Sequence, residues 1–338
     1  MARHSLLFAD TMRDRTSQDR QCSYVVTIGN GELRELASYL STVGVAGCEV
    51  VILDPSPRLQ FELNARVLRW VGRHVAVRPE HRSPTGAIDL VRAAAALAGC
   101  EKVIVAAEDV RYTAEAIGQL CDLLDVHEVV EPQDYLDPLP WWGGIEAGRI
   151  LLHRGIEPQP DHGATFGFRR SAVRGLRALD AVELVEDHAR RLVAAGAEVY
   201  PATSVFVRRQ PGALEDWMAK RPRAAGDDFA LPMKSVFFFS LVPLMLLLSL
   251  LGGVRLAGGY MSVIAFASFA LALRGRTGAA AFFPLKACLY APLWVFERSV
   301  SVYWALYRKL RGTGGDAARV TLAASDTSST LRASHPRG

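Results

Sequence analysis

Paired cysteines, metal-ligand spacings and nucleotide-loop signatures are all missing from this chain. Its five cysteines (Cys22, Cys48, Cys100, Cys121 and Cys288) are odd in number and never form a CxxC. That excludes a disulfide framework and a cysteine zinc site, and predicts free thiols in a reducing compartment. No GxxxxGK[ST], no GxGxxG behind a strand, no HExxH and no GxSxG occurs, so P-loop, dinucleotide, zinc-protease and serine-hydrolase chemistries have no anchor. The eight histidines are dispersed, with His162 and His188 read as surface residues, and there is no internal repeat. Charge is scarce as well: 22% of the 338 residues are charged and half are hydrophobic, too apolar for a disordered chain. The net charge of +4 draws attention to nucleic acid. The basic residues form no stripe on one helix, however; they gather beside apolar segments, which suits a membrane surface and not nucleic acid.

What is present in excess is apolar, and it is concentrated. Ser235 to Val254 runs SVFFFSLVPLMLLLSLLGGV without a charge, and Leu256 to Leu273 is a second uncharged run. Each is long enough to cross a bilayer as a helix; the competing reading is a buried hairpin in a soluble core. The sequence thus predicts two transmembrane helices over 235–273, with a Gly-rich turn at Gly252, Gly253, Gly258 and Gly259 around Arg255. Lys220, Arg221, Arg223 and Lys234 precede the first run, and Arg274 and Arg276 follow the second. The positive-inside rule then puts both flanks in the cytoplasm. MARHSLLFAD is too short and too charged for a signal peptide. The expected arrangement is a cytoplasmic domain over 23–234 on a multi-pass anchor in the cell (inner) membrane. The segment 274–311 mixes Lys286, Glu297 and Arg298 with aromatics and reads as an interfacial amphipathic helix or a third span. Residues 1–22 and 312–338 read as disordered tails.

Between them, short β-rich runs (24–28, 49–53, 74–77, 102–106) alternate with helical stretches (32–42, 59–71, 87–98). The alternation predicts an α/β fold with a doubly wound, Rossmann-like sheet, whose ligands bind beyond the carboxyl ends of the strands. Three such ends carry candidate chemistry: Thr27-Ile28-Gly29-Asn30, with backbone N–H groups to offer; Asp54 before Pro55-Ser56-Pro57; and Ala107-Glu108-Asp109 before Val110-Arg111-Tyr112. Adjacent carboxylates at a strand end suit a hard divalent cation on a diphosphate. An Asp at a strand end is more often a turn or helix cap.

The series VVTIGN, VVILDPS, VAAEDVRYTAEAI, PQDYLDPLPWW, GATFGFRRSAV and VELVEDHARRLVAAGAEV resembles an inverting family 2 glycosyltransferase with a GT-A fold. The closest likeness is to bacterial membrane-anchored members, and it covers roughly residues 23 to 235. The resemblance implies transfer of a sugar from a nucleotide-sugar, a UDP-sugar in the first instance, to a lipid or lipid-linked acceptor, with Mg²⁺ or Mn²⁺ as cofactor. Carried over, Asp54 is the acid that contacts base or ribose, and Asp109 the metal ligand. Ala107 stands where the family has the first acid of its metal motif, with Glu108 keeping a carboxylate beside it. The general base falls among Glu183, Glu186 and Asp187, where residues 183 and 187 share a helical face; a solvated acidic face paired with Arg190 and Arg191 is the plainer reading. Trp141 and Trp142 stand where such enzymes shape the acceptor pocket, or are core. Lys220, Arg221 and Arg223 stand near a gate motif whose Gln and Trp are missing here, and suit either a leaving diphosphate or anionic lipid. A second function class is a catalytically inactive relative serving as a membrane scaffold.

Overall fold

The computed structural model describes residues 21–29, 32–79, 89–156, 165–175, 192, 196–215, 217–218, 232–307 and 311. The chain divides into two compact units, Met1–Pro211 with Leu271–Cys288, and Gly212–Ala270 with Leu289–Gly338.

In the first unit the β-rich runs become strands β1 (Cys22–Thr27), β2 (Cys48–Asp54), β3 (Arg73–Ala76) and β4 (Lys102–Ala106). They are linked by helices α1 (Leu33–Val45), α2 (Arg58–Leu68) and α3 (Leu90–Leu97). β1 and β2 are almost wholly buried, which is why they read as continuous apolar runs: helices cover both faces. Tyr24, Val26, Leu36, Leu40 and Leu120 fill one face and Val25, Val51, Val91, Phe166 and Phe168 the other, the period-two alternation of a strand. Beyond β4 come the two-residue β5 (Val110–Arg111), α4 (Ala114–Val126), β6 (Val129–Leu136), α5 (Gly143–Ile156), β7 (Thr165–Arg169), α6 (Arg170–Gly175) and β8 (Val199–Arg209). Thr113 starts α4 by accepting the Ala116 N–H at 3.1 Å, a side-chain N-cap.

The sheet order is β3-β2-β1-β4-β7-β6-β8-β5. The fold is α/β as expected, and the strands of its sheet are mixed in direction. β7 runs antiparallel between β4 and β6, and β5 runs antiparallel on the edge of β8. Strand β7 is fixed by Thr165, whose hydroxyl donates to the Val105 carbonyl at 2.7 Å and meets the Tyr112 hydroxyl at 2.7 Å. The β6·β8 pairing slips between Pro132 and Gln133. Arg154 of α5 closes the slip, donating to Thr203 O at 3.1 Å and Gln133 Oε1 at 3.2 Å.

The apolar excess forms α7 (Pro232–Arg276). Among the described residues one helix, Val236–Arg276, is long and apolar enough to cross a membrane, and 11% of its most apolar window is buried. Where the sequence predicts two helices around an Arg255 turn, the path departs from helical angles at Gly253 alone (φ 66°, ψ −166°), a region open essentially only to glycine. The last turns of α7 belong to the first unit. There Gly155 of α5 and Gly275 approach so closely that a Cβ on either would collide with a carbonyl of the other helix, Leu271 O or Leu151 O. Arg154 also donates to Gly275 O at 3.2 Å. After the short α8 (Leu285–Cys288), a helix over residues 290–307 packs in the second unit on Phe238 and Phe239 through Trp294 and Tyr303. The tails 1–20 and 312–338 lie outside the described residues.

Candidate functional site

The carboxyl ends of β1, β2 and β4 lie side by side, since β1 pairs in parallel register with both neighbours. Asp54 closes β2 and is wholly enclosed: its side chain is 0% exposed. Oδ1 accepts the Ser56 N–H at 2.8 Å, and Oδ2 meets Asn64 Nδ2 and His74 Nε2, each at 2.9 Å. Phe61 stacks on the His74 ring at 4.2 Å between centroids. Burial alone would raise the carboxyl pKa, but the hydrogen bonds from Ser56, Asn64 and His74 outweigh it and hold Asp54 below its ordinary value. The base or ribose contact that the resemblance implies would need this carboxylate to turn outward; here it joins the β2 end to α2 and β3.

The β4 end is different. Residues 107–110 make a tight turn closed by Val110 N to Ala107 O at 3.1 Å. Glu108 reaches across to β1, where Oε2 accepts the Gly29 N–H at 2.6 Å. A Cβ at Gly29 would overlap the Glu108 carboxylate, so glycine is what admits it. The backbone N–H that the sequence offers to a ligand is thus held by Glu108. Asp109, 30% exposed, binds Arg209 of β8 through Oδ2 to Nε at 2.8 Å, while Gln210 N donates to Asp109 O at 2.7 Å. The same guanidinium faces Asp134 of β6 at 3.5 Å. Asp134 is buried, which raises its pKa although Arg209 and Arg149 pull it down. Arg209 is held firmly protonated: Asp109 and Asp134 more than offset its own desolvation.

The β5·β8 ladder sorts these charges. Val110 faces Arg209 and Arg111 faces Arg208, and directly opposed residues share a side of the sheet. Asp109, Arg209 and Asp134 collect on one side. On the other, Arg111 donates to Gln210 Oε1 at 3.2 Å, to Glu35, and to the Glu108 carbonyl. A cavity of about 440 Å³ opens there, lined among others by Glu35, Tyr39, Tyr135, Asp137 and Arg208, a size ordinary for a small-molecule site.

Of the other expected residues, Trp142 is 8% exposed and Trp141 69%. The pair therefore divides, one ring in the core and one at the surface where α5 begins, and neither lines the cavity. Glu183, Glu186, Asp187, Lys220, Arg221 and Arg223 lie outside the described residues. Sequence reading missed Arg209. Its signal was faint: the alternating VFV of β8 breaks into Arg208-Arg209-Gln210 at a carboxyl end.

A divalent cation at Asp109 meets a mixed donor set. One carboxylate oxygen already faces a guanidinium, and among the described residues no group of three or more His, Cys, Asp or Glu is arranged to hold a metal. One Asp is enough for Mg²⁺ where substrate phosphates and waters supply the rest. The residues fit a cation that arrives with a diphosphate.

No family model matches the chain, and no curated protein matches it. Similar solved structures include glucosyl-3-phosphoglycerate synthase from Mycobacterium tuberculosis in complex with Mn²⁺, uridine diphosphate and glucosyl-3-phosphoglycerate (16% identity, 60% of this chain and 77% of that one, TM-score 0.37). S. aureus TarS 1-349 in complex with UDP-GlcNAc is similar at 14% identity, over 81% of this chain and 90% of that one, with TM-score 0.37. The glycosyltransferase GlyE of Streptococcus pneumoniae TIGR4 is similar at 10% identity, over 66% and 53%, with TM-score 0.31.

Proposed function

We propose that the chain is a membrane-associated inverting glycosyltransferase of the GT-A type, which moves a sugar from a nucleotide-sugar to a lipid or lipid-linked acceptor at the cytoplasmic face. The observation that carries this reading is a pair of contacts made by successive residues at the β4 end: Glu108 accepts the Gly29 N–H past β1, and Asp109 accepts from Arg209 of β8. Ligands of such sheets bind at that edge, and the resemblance puts its metal acid there. A donor diphosphate would meet Asp109 with the cation it brings, whose chemistry is to neutralise charge on the leaving group. Lys220, Arg221 and Arg223 are proposed to add positive charge beside it. A carboxylate among Glu183, Glu186 and Asp187 takes the acceptor hydroxyl's proton as that oxygen bonds to the anomeric carbon and the carbon–phosphate-oxygen bond breaks. Asp54 is proposed to order the base-binding end of the site, and Trp141 and Trp142 its acceptor side.

The membrane part of the reading rests on α7. A straight helix of its 45 residues would be about 68 Å long, more than twice the roughly 30 Å bilayer core. Gly253 divides it into two lengths of about one core each. That division supports two spans joined at Gly253, with an interfacial helix after them.

A nucleotide-sugar panel in thermal shift, with and without Mn²⁺, tests the function. A UDP-sugar should stabilise the protein, more strongly with metal, and Asp109→Ala should abolish the shift while leaving the unliganded melting point nearly unchanged. The absence of any donor response would overturn the reading. The Asp109–Arg209 pair gives a second reading its support: a donor-free membrane scaffold, in which Asp109→Ala leaves cellular function intact.

A further inference from the structure

We propose that α2 docks on an anionic membrane surface, with its outer face in the headgroup layer. The inner face of this helix is fully used: Asn64 and Leu68 are buried, and Phe61 lies on His74. Its outer face is not. Leu59 is 74% exposed, Leu63 44%, and Trp70, just past the helix, 72%. At 100° per residue these three positions fall within one narrow arc. Isolated exposed leucines mean nothing, but three large apolar side chains in one strip form a patch that asks for a partner.

Charge says which partner. Arg66 sits beside the strip and Arg69 and Arg58 continue along that same side, and the single acid among the outward residues, Glu62, is tied to Arg58 at 3.2 Å. An apolar strip edged by arginines suits a helix lying in an interface, apolar side down and cations among lipid phosphates. Trp70 has the amphipathic ring that settles at that depth, and the Arg69 guanidinium lies 4.7 Å over it. An anionic bilayer takes both halves of such a face at once, its headgroups meeting the arginine edge and its acyl boundary the leucines. This inference does not depend on glycosyl transfer, nor on α7 spanning.

The test uses the full chain in nanodiscs of phosphatidylcholine, with and without phosphatidylglycerol. All five native cysteines are buried thiols, so a nitroxide can be directed to Leu63→Cys or, at a second exposed site, Leu59→Cys. With phosphatidylglycerol present, collisions with a water-soluble nickel chelate should fall severalfold at both sites. High salt or Arg66→Glu with Arg69→Glu should restore them. No fall on adding phosphatidylglycerol would overturn the proposal. So would the same fall in lipid-free detergent, which means contact between copies, or an equal fall at Val126→Cys, an exposed site on α4, which means the domain is shielded without preference for α2.

Discussion

Asp54 and Asp109 are alike in sequence, each an acid closing a β-rich run, and the structure makes them opposites. Asp54 has no exposed side-chain surface and three hydrogen-bonding partners within 2.9 Å, all from its own β2–α2–β3 neighbourhood. Asp109 keeps an open side, and its partner Arg209 comes from a strand 100 residues away. The first carboxylate completes a local turn. The second is held at a sheet edge by a counter-charge that a ligand can compete with. A strand-end acid is read correctly only once its partners are known: local donors mark structure, and a distant, half-open cation marks a place where charge is handled.

Four substitutions or conditions press on this contrast, in falling order of expected effect. Asp54→Ala leaves Asn64, His74 and the Ser56 N–H without their acceptor, and should cost about 3 kcal/mol of stability in denaturant titration; an unchanged midpoint would dissolve the distinction from Asp109. Arg209→Met strands Asp134 in a buried site and should cost about 2 kcal/mol, below the usual figure because the arginine is 30% exposed. Adding Asp134→Leu should recover most of that loss, and a double-mutant cycle reads the coupling. Glu108→Ala should weaken donor binding about tenfold, or 1.4 kcal/mol, in isothermal titration; tighter binding would mean that Glu108 blocks the Gly29 amide and does not assist there. The smallest effect is one of pH. Because the folded Asp54 carboxyl sits below its ordinary 3.8, its stabilisation is complete above that value and fades as pH falls through the lower folded one. The gap between wild type and Asp54→Asn should therefore shrink below pH 3.8, by at most about 1.4 kcal/mol per unit; a gap that widens would reverse the sign.

The parallel half of the sheet was legible because burial on both faces writes itself as uninterrupted valine and isoleucine: the run KVIVA is strand β4 residue for residue. Strand β7, within GATFGFRR, was not read as a strand. Nothing local says that Phe166 and Phe168 face one core while the backbone runs against β4; that direction is set by long-range pairing. The two residues of β5 carry no periodicity at all. The same limit governs the site. Glu108 and Asp109 could be singled out from position alone, whereas Arg209 became visible only when the β5·β8 ladder brought it to them. For α7 the apolar length was plain. The break falls at Gly253, one of the glycines of the expected turn, because backbone angles choose the glycine and not the charged Arg255.

The glycine crossing between α5 and the last turns of α7 bears on how this protein can be handled at the bench. On the proposed reading of α7 as a membrane anchor, a soluble fragment would be sought by cutting ahead of Pro232. Such a fragment discards Leu271 to Cys288, which belongs to the sheet unit. It strips the cover from Leu151 and Gly155, and it removes Phe282 from the rings of Tyr135 and Phe206. The fragment should aggregate for want of its own surface. Joining residue 211 to residue 271 by a soluble linker keeps that surface, and follows the boundaries of the sheet unit.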